Sequence, residues 1–142
     1  GAKRGAAGDG VVVFDGAIPG QAAQGWYTFS VWMYLGEDLR ARSEAQILEY
    51  LPEGEQEVFQ QRFHVYGQVQ ALDRNGWGLL EFRFIPQLAG SRIRFTIRNE
   101  ELNGKPLYLD ELLIRQEIDE VYQRGKSYVW KNNRWFPLEA AD

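Results

Sequence analysis

Trp32, Tyr34, Arg62, His64, Glu81, Arg83, Arg94 and Arg98 share one property: each occupies the polar side of an apolar–polar alternation. Gathered on one concave sheet, they would set aromatic rings among charged hydrogen-bonding groups. That combination suits saccharide recognition. Apolar C–H faces of a sugar stack on an indole, and its hydroxyls take paired bonds from guanidinium or carboxylate. The competing reading is a solvated sheet face whose cross-strand Glu–Arg pairs contribute about 0.2–1 kcal/mol each. Trp77, behind the turn-forming Asn75-Gly76, is a further aromatic that could project from a loop or cap the edge of the fold.

Catalytic chemistry finds little support. His64 is the only histidine, and no nucleophile or orienting carboxylate stands at a defined spacing from it. One histidine also falls short of a catalytic zinc site. The acidic groups come as loop clusters (Glu53, Glu55 and Glu57; Glu100 and Glu101; Asp119 and Glu120), which read as solvated turn charges rather than a glycosidase pair. There is no serine elbow, phosphate-cradling glycine loop or metalloprotease histidine pair. No enzyme is expected in this chain, and no cofactor is required.

Composition narrows the partners. The net charge of -4 argues against nucleic acid, because neutralising phosphates needs a basic surface. Cysteine is absent, which excludes disulfides and thiol chemistry. Apolar runs are only a few residues long, so no membrane-spanning helix is expected. The chain starts at Gly1 and its only methionine is Met33, so it is expected to be a fragment of a larger protein.

The elements that would position these side chains are strands. In WYTFSVWMYL, residues 26–35, Tyr27, Phe29, Val31, Met33 and Leu35 fall on one face, while Trp26, Thr28, Ser30, Trp32 and Tyr34 fall on the other. Ile93, Phe95 and Ile97 alternate with Arg92, Arg94, Thr96 and Arg98 in the same way. Leu80, Phe82 and Phe84 alternate with Glu81 and Arg83. Residues 45–51, 57–66 and 107–115 supply further strands, and 67–72 a short one after a kink at Gly67. A helical turn is expected within 36–44. Asn75-Gly76 and Asn103-Gly104 are hairpin signals. Strands at short spacing with hardly any helix predict an all-β sandwich or barrel. Residues 1–10 read as a flexible leader, 11–116 as the sandwich, and 117–142 as a C-terminal β-hairpin extension packed on it. Trp130 and Trp135 would be the anchors that dock it.

WYTFSVWMYL and PLYLDELLIR resemble the first and last long strands of jelly-roll carbohydrate-binding modules, of the galactose-binding-like kind. In that family the early strand reads roughly Tyr-Thr-Phe-Ser-Val-Trp. The last reads roughly Tyr-Ile-Asp-Asp-Val, matched here by Tyr108, Leu109, Asp110, Glu111 and Leu112. The resemblance covers 11–116. It implies a jelly-roll β-sandwich of two antiparallel sheets and a carbohydrate or glycan partner. It also implies a structural calcium with Asp110 among its ligands and Asp15 as a second candidate. One or two carboxylates do not define a site that wants about six to eight oxygens.

Residues 64–137, ending in VWKNNRWFP, are similar to soluble C-terminal segments of bacterial membrane glycosyltransferases of the dolichyl-phosphate-mannose–protein mannosyltransferase type. That similarity implies an accessory domain of a larger parent chain. It would lie on the extracytoplasmic side, periplasmic or at the cell surface, tethered by a membrane segment outside this sequence. Two expectations stand side by side: a non-catalytic carbohydrate-binding or accessory domain, and a structural or protein-docking module with no small-molecule ligand.

Overall fold

The computed structural model describes residues 2–3, 10–20, 25–36, 43–99, 106–117 and 126–138. Its strands are β1 (Ala2–Lys3), β2 (Val11–Gly16), β3 (Tyr27–Tyr34), β4 (Glu44–Tyr50), β5 (Glu57–His64), β6 (Val69–Leu72), β7 (Trp77–Phe84), β8 (Arg92–Arg98), β9 (Leu107–Gln116), β10 (Lys126–Lys131) and β11 (Arg134–Pro137). They form an all-β sandwich of two antiparallel sheets. One runs β11-β10-β9-β3-β7-β6, with β1 also paired to β9, and the other runs β2-β8-β4-β5.

The core follows from the alternation. Tyr27, Phe29, Val31, Met33 and Leu35 are all at most 1% exposed, as are Leu80 and Phe82 from β7 and Ile93, Phe95 and Ile97 from β8. The two inner faces meet through aromatic rings. Phe95 lies 5.0 Å from both Phe29 and Phe82, and Phe29 lies 5.1 Å from Phe84. Burying each such side chain stabilises by about 1.5–3 kcal/mol.

Three local features depart from simple alternation. Between β5 and β6 the chain makes a 3-10 turn at Tyr66–Gln68 and moves from the four-strand sheet to the six-strand sheet. The kink expected at Gly67 is therefore a sheet crossover. The second feature is Glu49, only 2% exposed at the end of β4. Its carboxylate accepts from the backbone N–H of Gln87 (2.8 Å) and Leu88 (3.1 Å) and from the Ser91 hydroxyl (2.5 Å). A buried carboxyl group is tolerated here because the loop before β8 wraps donors around it.

The third lies near the N-terminus, where Ala2–Lys3 pair with Leu107 and Tyr108 of β9. Such pairing needs only backbone donors and acceptors, which no side-chain pattern announces. The C-terminal hairpin joins the sandwich as two more strands of the six-strand sheet. β10 pairs with β9, and Asn132 and Asn133 take φ of 55° and 58° in the turn to β11, as a two-residue hairpin turn requires. Trp130 and Trp135 lie 4.9 and 5.1 Å from Phe14, and the Trp135 indole donates to the Ala17 carbonyl at 3.1 Å, so both anchor the hairpin. The expected helical turn and the Asn103-Gly104 turn lie outside the described residues for most or all of their length.

Candidate functional site

The sequence-predicted site residues do not share a surface. Trp32 and Tyr34 on β3, with Glu81 and Arg83 on β7, lie on the outer face of the six-strand sheet. Arg62 and His64 on β5, with Arg94 and Arg98 on β8, lie on the outer face of the four-strand sheet, across the core. A single groove built from all of them is excluded. The reason is topological: alternation tells which side of its strand a residue occupies, and says nothing about which sheet the strand joins.

On the four-strand face Arg92, Arg94 and Arg98 are paired with Asp15, Glu55 and Glu44. Arg92 donates to both Asp15 carboxylate oxygens at 3.0 Å, Arg94 Nε donates to Asp15 at 2.8 Å, and Arg92 also reaches Glu55 at 3.1 Å. Both guanidiniums lie over the Tyr50 ring, at 4.6 and 5.1 Å. Arg94 titrates above its ordinary value, chiefly because of the Asp15 hydrogen bond, which outweighs the opposing cost of burial. Arg98 pairs with Glu44 at 3.1 Å. His64 is exposed on β5, which lies at the edge of its sheet, opposite Glu44 in the register.

One end of the six-strand face is built likewise. Glu117 accepts from Arg83 through both Nε (3.1 Å) and Nη2 (2.8 Å) and from the Thr28 hydroxyl at 3.2 Å. Arg83 also lies 4.1 Å over the Trp26 ring, and Arg115 reaches Glu81 at 3.7 Å. Burial opposes the charged form of Glu117, yet the Arg83 and Thr28 hydrogen bonds and the charges of Arg83 and Arg115 hold its carboxyl below the ordinary value.

The other end differs. An open cleft of about 420 Å³ is lined by Trp32, Asp73, Asn75, Trp77, Asp110 and Glu111. Both tryptophans are half-buried. Tyr34 stands edge-on to Trp77 at 5.9 Å and braces it.

Two backbone devices make this cleft. Asp73 Oδ1 accepts from the N–H groups of Asn75 (2.8 Å) and Trp77 (3.0 Å), which fixes the hairpin loop and sets Trp77 at the start of β7. Gly76 takes φ +87°, and a Cβ there would come 3.0 Å from the Tyr34 ring, so both conformation and space call for glycine. The second device is a bulge. Between the pairs Ser30↔Leu113 and Trp32↔Asp110, β3 has one residue and β9 has two. Glu111 absorbs the extra residue at φ 54°, a conformation that usually falls to glycine at such bulges. As a result Asp110 and Glu111 are consecutive and both exposed, beside Trp32.

Among these, sequence reasoning raised Trp32, Trp77 and Asp110, and missed Asp73, Asn75 and Glu111 as members of one site. Asp73 precedes a recognisable turn, a signal that could have found it. A bulge at Glu111 leaves none. The two carboxylates considered for calcium do not meet, since Asp15 is engaged by Arg92 and Arg94 on the four-strand face, whereas Asp110 sits on β9. Among the described residues no group of three or more histidine or acidic side chains could hold a metal ion. No helix among them is long and apolar enough to cross a membrane.

Compared with known proteins, the chain matches no family model, no curated sequence and no solved structure.

Proposed function

We propose that this chain is a non-catalytic carbohydrate-binding or accessory domain, with its saccharide held in the cleft between Trp32 and Trp77. The observation that carries this reading is the pair of half-buried indoles edged by the carboxylates of Asp73, Asp110 and Glu111 and the amide of Asn75. An indole ring offers a sugar a flat apolar surface, and carboxylate and amide oxygens accept from its hydroxyls. The crossing of consecutive strands β2, β3 and β4 between the two sheets supports a jelly-roll description. Likeness of its long strands to carbohydrate-binding modules supports the ligand class. Likeness of 64–137 to mannosyltransferase segments supports a bacterial, extracytoplasmic parent protein with a membrane part.

Titration calorimetry against a panel of neutral and charged oligosaccharides tests the reading. At least one saccharide binds, and Trp32→Ala weakens it tenfold or more, equivalent to about 1.4 kcal/mol. Heat from no saccharide in the panel would overturn it.

One observation favours a second reading, a structural or protein-docking module. The outer face of the four-strand sheet carries balanced ion pairs, as expected of a surface that needs only solubility. Under this reading Trp32→Ala leaves every interaction of the parent protein unchanged.

A further inference from the structure

We propose that the outer edge of β5 is the seam of a symmetric dimer, in which a second copy of this chain pairs antiparallel with the first and joins their two four-strand sheets into one. Among the described residues the sandwich ends in β11 and β6 on one sheet and in β2 and β5 on the other. Open strand edges invite association, and proteins blunt them with short strands, bulges and proline. Three of these edges are blunted. β6 and β11 have 4 residues each, β6 shifts register between Val69 and Ala71, and β11 ends at Pro137. β2 shifts register between Val12 and Phe14. β5 has 8 residues, and its register against β4 is continuous from Phe59 to His64.

The backbone of that edge is available. Val65 N–H donates to the Ser43 carbonyl at 3.0 Å, one step beyond the pairs Glu44↔His64 and Ala45↔Phe63. Hydrogen-bonded pairs alternate with non-bonded ones along an antiparallel ladder. Phe63, Gln61 and Phe59 therefore bond to β4, while His64, Arg62 and Gln60 turn their N–H and C=O groups outward.

Charge selects a second copy as the occupant. Glu57 pairs in register with Tyr50 and Arg62 with Gln46, both on the outer face, and neither Glu57 nor Arg62 makes an ion pair among the described residues. β5 is thus acidic at its start and basic at its end, with His64 beyond Arg62. An antiparallel copy sets the acidic end of each strand beside the basic end of the other. A two-fold axis through Gln61 also sets Phe59 opposite Phe63 of the second copy. Apolar side chains border the same flank: Val58, Phe59, Tyr66 and Leu72 are all exposed, on β5 and on the crossover into β6. The Trp32–Trp77 cleft lies on the other sheet, so the dimer stands or falls independently of the saccharide reading.

Sedimentation equilibrium of the full chain, from about 1 μM to 1 mM, tests the proposal. A monomer–dimer equilibrium is expected. Gln60→Pro removes one outward N–H, leaves the β4 ladder complete and abolishes the dimer, with the fold checked by circular dichroism. Glu57→Arg weakens the dimer about tenfold, and adding Arg62→Glu restores it, which decides the matter should the proline variant fail to fold. The chain has no cysteine, so Gln61→Cys reports the register: it forms a disulfide-linked dimer on oxidation, whereas Val12→Cys on the β2 edge does not. A monomer at every concentration would overturn the proposal. So would a dimer that ignores the charge exchange, or one that cross-links through Val12→Cys instead of Gln61→Cys.

Discussion

The two outer faces of this sandwich are made from the same kinds of residue and differ in what their charges do. On the four-strand sheet Asp15 and Glu55 close on Arg92 and Arg94, and Glu44 closes on Arg98. At the Trp32 end of the six-strand sheet, Asp110 and Glu111 sit beside two indoles with no cation among the described lining residues. Residue type therefore does not distinguish a decorated surface from a candidate site. Whether the protein has already supplied each group's partner does. A face whose hydrogen bonds are internally complete has nothing left with which to select a ligand.

Four substitutions or conditions probe that contrast. The largest effect is expected at Glu49, whose carboxylate is fully enclosed by the loop it organises. Glu49→Ala should cost about 3 kcal/mol in denaturant unfolding, because it strips charge-assisted bonds from the donors of Gln87, Leu88 and Ser91. A cost below about 0.5 kcal/mol would mean that water replaces the carboxylate freely. Next comes Asp15→Ala, which leaves Arg92 and Arg94 to the more exposed Glu55. A loss of about 1 kcal/mol is expected, shrinking as salt is added. Saccharide binding should be unaffected by it, since Asp15 lies on the other face.

The comparison also shows what was legible beforehand. The inward set Tyr27, Phe29, Val31, Met33 and Leu35 could be read directly, because alternation is a local consequence of strand geometry. The strand over Arg92–Arg98 and the turn at Asn75-Gly76 were equally local, and both stand in the structure. Sheet membership is not local. Arg62 and Trp32 read alike along the chain, yet the crossover through Tyr66–Gln68 and the alternation of strands between sheets put them on opposite surfaces. The site itself depended on a one-residue bulge. Strict alternation in β9 would send Asp110 and Glu111 to opposite faces, whereas the bulge exposes both.

Glu117 offers a pH test of a paired group. Its carboxyl is held low in the folded protein, so its contribution to stability is present above the unfolded carboxylate range and disappears as pH falls through the folded value. Arg83→Ala should reduce that acid-side loss at a cost of about 0.2–1 kcal/mol near neutral pH. Identical acid unfolding profiles for wild type and variant would contradict the pairing.

The smallest effect is expected at Glu111. Relief of its left-handed backbone offsets the extra entropy of an unfolded glycine, so Glu111→Gly should change stability by less than about 1 kcal/mol, in the stabilising direction. Weaker saccharide binding in a protein of equal or greater stability would show that the glutamate serves the cleft and not the fold. A destabilised Glu111→Gly would place its role in the sheet.

The central claim is that the Trp32–Trp77 cleft, and no other aromatic surface, receives the ligand. The chain has 5 tryptophans, each with its own indole N–H signal in a nitrogen–proton correlation spectrum. Titrating in the saccharide that binds should move the signals of Trp32 and Trp77 and leave those of Trp26, Trp130 and Trp135 in place. Shifts confined to Trp130 and Trp135, or to Trp26, would put the ligand elsewhere and contradict the account.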